Sequence, residues 1–154
     1  MSTITVIYGP TASGKTRKAL ELAHDSGAAL LSFDSRHVYK EMDIVTGKDH
    51  PNLPAERVFG FDLVWPTDDW STFHFYMYAK GVIEQCAKSN TPIILFGGSW
   101  PYAQVLMDPP ESLGAQTNSE LRAQLEALPL PELQSLAEIE ASTRWKMMNV
   151  SDRA

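Results

Sequence analysis

The chain is short of cysteine, of net positive charge and of long apolar runs. Cys86 is the single cysteine in 154 residues, so no internal disulfide can form. One buried thiol fits a reducing compartment, and a small core residue on a helix is its expected role. No apolar run approaches the roughly 20 residues that a membrane-spanning helix needs. The N-terminus has no basic patch followed by an apolar segment, so no secretory leader is expected and the expected location is cytoplasmic. Lys and Arg total 13 against 19 Asp and Glu, a formal net charge of −6. That deficit argues against wrapping long nucleic acid non-specifically, because each neutralised phosphate needs a cation. Internal repeats and low-complexity tracts are also missing, and His24, His50, His74, Trp65, Trp70 and Trp145 carry no metal or cofactor spacing.

Hydrophobic residues make up 44% of the chain and charged residues 21%, enough apolar content for one real core in one domain. The cations Arg17, Lys18, Arg36, Lys40 and Lys48 gather in the first third, while Glu111, Glu120, Glu126, Glu132, Glu138 and Glu140 lie later. Two readings stand: a positive mouth on an acidic body, or ordinary solvated faces.

Gly9-Pro10-Thr11-Ala12-Ser13-Gly14-Lys15-Thr16 matches the phosphate-loop pattern G-x-x-x-x-G-K-[ST] at every fixed position. Ile4, Val6, Ile7 and Tyr8 form a strand-like run before it, and Lys18 to His24 form a helix-friendly run after it. In that setting consecutive backbone N–H groups converge on one concavity, and the helix N-terminus adds roughly half a positive charge. Lys15 supplies a mobile cation and Thr16 a hydroxyl suited to a Mg²⁺ shell. Gly9, Thr11, Ala12, Ser13 and Gly14 complete the candidate di- or triphosphate cradle.

The expected order is a strand over 3–8, a helix over about 14–25 ended by Ser26-Gly27, and a buried parallel strand over 28–33. Asp34 follows that strand directly, and ligands in parallel α/β sheets bind beyond strand carboxyl ends, so Asp34 should face the phosphate loop. A strand is expected over 58–64, then a helix capped by Ser71 or Thr72 and reaching about Ser89, with Phe73, Met77, Ile83 and Cys86 turned inward. Ile93 to Phe96 reads as another buried strand, ending in Gly97-Gly98-Ser99, which is either an active-site rim or a plain tight turn. After Met107 the character changes. Thr117 and Glu120 have capping-box spacing, and Leu121, Leu125 and Leu128 share a helix face. Pro131 can open a further helix carrying Leu133, Leu136 and Ile139. The fold class expected is a three-layer α/β, P-loop NTPase-like parallel sheet over 1–107 with a small helical hairpin over 108–154.

Three segments resemble the tRNA dimethylallyltransferase (tRNA isopentenyltransferase) family. They are GPTASGKT over 9–16, SFDSRHVYKEMDIVTGKD over 32–49 and PIILFGGSWPY over 92–102. The second is similar to the family's S-A-D-S-x-Q-V-Y-x-x-M-D-I-G-T-x-K, and the third to P-I-L-V-G-G-T-G-L-Y. LRAQLEAL over 121–128 resembles the start of the family's helical insertion, and NVSDRA over 149–154 its return to the core.

The resemblance implies transfer of a five-carbon group from dimethylallyl diphosphate to the N6 amine of adenine, in a tRNA anticodon loop or a free adenine nucleotide, with release of pyrophosphate. The loop amides, Lys15 and a Thr16-bound Mg²⁺ would then stabilise the leaving diphosphate. By position Asp34 matches the family's catalytic base, with a magnesium second-shell or helix-cap role as the alternatives. Ser99 matches the family's threonine in the glycine turn. Ser35 and His37 fall in the substrate segment, and Arg153 corresponds to an arginine touching the diphosphate. The chain departs from the family at His37, which stands for a glutamine, at Pro101, and in length. A sheet short of its last strands would expose an edge that a second copy could cover. A small-molecule P-loop kinase or a non-catalytic nucleotide-binding remnant would share the phosphate loop.

Overall fold

The computed structural model describes residues 3–48, 51–110, 112–115 and 118–147. The chain divides into two compact units, Met1–Leu113 and Gly114–Ala154. Leu113 packs against the first unit's core, which carries the segment after Met107 with that unit.

In the first unit the elements run β1 (Ile4–Tyr8), α1 (Lys15–Ser26), β2 (Ala29–Ser32), α2 (Asp43–Thr46), β3 (Val58–Phe59), α3 (Thr72–Lys88), β4 (Ile93–Gly97) and α4 (Trp100–Met107), with a 3-10 turn at Ala55–Arg57 before β3. The sheet order is β1-β4-β2-β3, and every pairing is parallel. β2 and β4 are buried at every position because they are central and covered on both faces, which is why they read as continuous apolar runs. Leu30, Ile94 and Phe96 meet Ala19 and Ala23 of α1 on one face. Leu31, Phe33, Ile93 and Leu95 meet Phe75, Ala79, Tyr102 and Ala103 of α3 and α4 on the other. This is the expected three-layer α/β arrangement.

Two local expectations are corrected. The strand expected over 58–64 pairs only at Val58–Phe59, then touches once more through a bridge between Tyr39 and Val64. Gly60 (φ +85°) and Asp62 (φ +50°) lie between, and left-handed residues cannot continue an extended ladder. In α3 the buried face is Phe75, Ala79, Val82 and Cys86, while Phe73 and Met77 are exposed. Apolar residues occur on several faces of that helix, so the 3.6-residue period alone did not choose the inward one. Cys86 is buried as expected, and burial pushes its thiol pKa up, which keeps it an unreactive core group. Ser71 is the α3 cap: its hydroxyl accepts the His74 N–H while the His74 ring accepts the Ser71 N–H.

The second unit carries α5 (Ser119–Glu126), α6 (Leu130–Glu140) and α7 (Ser142–Met147). Thr117, the expected cap, lies outside the described residues, and Asn118 Oδ1 accepts the Leu121 N–H at 2.9 Å instead. Pro131 sits in the first turn of α6, as expected. The third helix, α7, was not anticipated. Among the described residues no helix is long and apolar enough to cross a membrane.

Candidate active site

Two left-handed residues shape the loop between β1 and α1. Ala12 has φ +63° and Gly14 φ +81°, so successive N–H groups turn towards one side rather than alternating. Gly14 is then the residue before the helix, and Lys18 N–H bonds back to its carbonyl at 3.0 Å. The first turn of α1 holds no acid and instead carries Lys15, Arg17 and, one residue on, Lys18. Helices favour carboxylates at that end, so cations there oppose the dipole and suit a site awaiting an anion. Lys15 Nζ folds back over the loop and donates to the Pro10 carbonyl.

The loop faces a hollow of about 410 Å³, lined by Thr11, Ala12, Gly14, Lys15 and Thr16 on one side and by Asp34, Arg36, His37, Thr46 and Gly47 on the other, with Gly97 between them. The register explains the meeting. β4 lies between β1 and β2, pairing Tyr8 with Gly97 and Ser32 with Phe96, so all three strands end together. The Phe33 N–H then bonds the Phe96 carbonyl at 2.9 Å, and Asp34 emerges at the hollow. Gly97 permits this closeness. A Cβ there would lie 2.7 Å from the Phe33 carbonyl carbon.

Asp34 is held in an Asx turn. Its Oδ1 accepts the Arg36 N–H at 3.0 Å, with Arg36 Nε 3.7 Å from the same oxygen. Ser32, fully buried, accepts the Asp34 N–H at 3.2 Å and shares a 2.9 Å hydrogen bond with His37 Nδ1. The His37 ring stacks on Phe61 at 5.0 Å. One buried hydroxyl thereby orients both the carboxylate segment and the imidazole. Behind them Tyr102 stacks on Phe75 at 4.0 Å, and its oxygen accepts the Trp70 indole N–H at 2.8 Å. Burial raises the Tyr102 pKa, the Trp70 bond opposes that, and the charge of Asp34 adds to the rise, so the hydroxyl stays neutral.

Of the residues named from sequence, Thr11, Ala12, Gly14, Lys15, Thr16, Asp34 and His37 line the hollow. Ser13 and Ser35 adjoin lining residues in the chain, and Gly9 and Ser99 lie two positions from one, without lining the hollow; Ser99 stands at the N-cap of α4. Arg153 lies outside the described residues. Of the five cations of the expected positive mouth, Arg17 and Arg36 line the hollow. Lys18 pairs with Glu21, Lys40 lies over the Trp65 ring, and Lys48 is buried. Thr46 and Gly47 are lining residues to which sequence reasoning gave no role. Their only signal was membership of the 32–49 segment.

Family models described as IPP transferase and isopentenyl transferase match residues 37–152 and 2–59. The chain belongs to the IPP transferase family, that of the tRNA dimethylallyltransferases. It is 36% identical over 143 residues to tRNA dimethylallyltransferase 1 of Syntrophus aciditrophicus, covering 88% of this chain and 46% of that protein. It is 36% identical over 154 residues to the tRNA dimethylallyltransferase of Myxococcus xanthus, covering 94% and 48%. It thus spans about half the length of these relatives. A solved eukaryotic dimethylallyltransferase acting on tRNA shares the fold, with a TM-score of 0.79 at 19% identity over 99% of this chain and 39% of that one.

Proposed function

We propose that this family member moves a dimethylallyl group from dimethylallyl diphosphate to the N6 amine of an adenine, in a tRNA anticodon loop or a free adenine nucleotide, and releases pyrophosphate. The observation that carries the reading is a carboxylate, Asp34, lining the same hollow as a phosphate loop whose first helical turn is cationic. In the transfer the bond from the allylic carbon to the diphosphate oxygen breaks and its electron pair leaves with the diphosphate. The N6–carbon bond forms, and the N6 proton passes to Asp34. Loop amides, Lys15 and Arg17 stabilise charge growing on the leaving diphosphate. Asp34 needs no large rearrangement to act, because the Arg36 N–H already fixes one of its oxygens. His37, held by Ser32 and Phe61, would meet a base edge. Ser99, Ser35 and Arg153 keep the roles that the family motif implies for them.

The donor set fits magnesium. The Thr16 hydroxyl is a hard oxygen ligand on the hollow, and diphosphate oxygens and water would supply the rest of the shell, which leaves Asp34 free to act as base. No cluster of three or more His, Cys, Asp or Glu occurs among the described residues, so the ion would depend on the substrate for its shell. When bound it would offset negative charge on the diphosphate.

Incubation with dimethylallyl diphosphate and either an adenine-containing anticodon stem–loop or AMP tests the reading. Prenylated adenine and pyrophosphate are the expected products. ATP turnover on a small hydroxyl substrate without prenyl transfer would assign the hollow to a kinase. Diphosphate binding with neither reaction would make it a nucleotide-binding remnant.

A further inference from the structure

Lys48 is the one buried charge among the described residues, with its side chain wholly excluded from solvent. Its ammonium donates to Asp43 Oδ1 at 2.7 Å, to the Tyr39 carbonyl at 2.7 Å and to Asp62 Oδ1. Three acceptors satisfy its three protons, which is the condition for keeping an ammonium in a protein interior. Those acceptors belong to three segments: the turn after β2, the short helix α2, and the loop beyond β3.

α2 has no buried residue, and Ile44 and Val45 are 98% and 80% exposed. Hydrophobic packing therefore does not hold this segment in place. Within it, Thr46 N–H and Oγ1 both bond the Met42 carbonyl, and the Lys48 N–H bonds the Asp43 carbonyl at 2.9 Å. These bonds shape the strap without anchoring it. Among the described residues the Lys48 ammonium ties it to the body, through the Tyr39 carbonyl and Asp62. The far end of the strap, Thr46 and Gly47, forms the wall of the hollow on the His37 side, opposite the phosphate loop. Asp62, the other carboxylate on the ammonium, follows Phe61, on which His37 stacks, and its N–H bonds the His37 carbonyl at 3.1 Å.

We propose that Lys48 is a positioning residue that fixes the 43–47 strap as the acceptor-side wall of the hollow. This rests on the transferase reading. Lys48 touches neither reacting group; it sets where Thr46 and Gly47 stand relative to His37. Among the described residues no hydrogen bond links the phosphate loop to the Lys48 ammonium, so diphosphate binding and acceptor binding should separate.

Lys48→Met tests it with three readouts. Backbone hydrogen exchange over 43–48 should quicken by about tenfold or more, with α1 and β4 unchanged. Pyrophosphate affinity by calorimetry should stay within about threefold. The KM for an anticodon stem–loop should rise by about tenfold, with kcat at saturating acceptor within about threefold. Lys48→Arg, which keeps the charge, should recover part of both losses. If Lys48→Met fails to fold, Asp43→Ala carries the same test, because that side chain is 55% exposed and its removal leaves the ammonium two acceptors. Unchanged strap exchange in a folded variant overturns the proposal. So does an unchanged acceptor KM, or a parallel loss of pyrophosphate and acceptor binding. If the wild type transfers nothing to any acceptor, the transferase reading falls and the role at the acceptor wall falls with it. The exchange comparison would still decide whether Lys48 anchors the strap.

Discussion

At the scale of single residues, charge placement separates the groups that line the hollow from those that hold the frame. Lys15, Thr16 and Asp34 were legible in the sequence because local pattern decides them: the first two belong to an eight-residue loop, and the third sits immediately after a buried strand. Lys48 was not legible. Its partners lie 5, 9 and 14 positions away in sequence, and only the fold shows that they surround one buried ammonium. Desolvation lowers the Lys48 pKa, but bonds and charges from Asp43 and Asp62 outweigh it, and the net shift is upward from 10.5. A raised lysine pKa contributes stability that is complete below the unfolded value and disappears as pH rises through the folded value. Wild-type urea midpoints should therefore show an alkaline loss that sets in above about pH 10.5 and that Lys48→Met lacks. Identical alkaline profiles would contradict the assignment.

At the scale of elements, the strand ends matter most, and their alignment followed from sequence because continuous apolar runs over 28–33 and 93–96 imply central parallel strands. The phase of α3 did not follow. Phe73, Phe75, Tyr76 and Met77 offer several apolar faces, and only packing against β2 and β4 selects Phe75 and Ala79. The broken strand at 58–64 escaped for a different reason, since two left-handed residues interrupt it and Asp62 carries no sequence mark of that conformation. Gly97 joins element to site. In Gly97→Ala the new methyl meets backbone atoms of Phe33, at 2.7 Å to the carbonyl carbon and 2.8 Å to the oxygen. Backbone cannot rotate away as a side chain can, so a cost of about 1–3 kcal/mol is expected. Parting β4 from Phe33 also moves Asp34 from the phosphate loop, so transfer should fall more than stability alone explains. Chemical denaturation beside kcat measures both. A variant with wild-type stability and rate would show that the close approach is unimportant.

At the scale of the whole molecule, the composition changes after Met107, whereas the contact boundary between the two compact units falls after Leu113. α7 was missed because six residues carry too little periodicity. Among the described residues β1 is an edge strand, and Ile4, Val6 and Tyr8 on one of its faces are about half exposed. ITVIY contains no charge and no proline, the usual guards of an edge. Paired antiparallel with a second copy about Val6, it would set Ile4 opposite Tyr8 of the other strand, a favourable β-branched and aromatic pair. Sedimentation should therefore show concentration-dependent dimerisation that Val6→Lys abolishes. A wild-type chain that stays monomeric at every concentration would exclude this pairing.

The central claim is that one hollow both holds a diphosphate and presents a carboxylate to an acceptor amine. Pyrophosphate titration by calorimetry with magnesium, run on the wild type, Lys15→Ala and Asp34→Ala beside single-turnover transfer rates, tests it most directly. The account predicts binding by the wild type, weakening of about tenfold or more in Lys15→Ala, and near-normal binding but at least about a hundredfold slower transfer in Asp34→Ala. No heat of binding in the wild type, or wild-type transfer by Asp34→Ala, would contradict it.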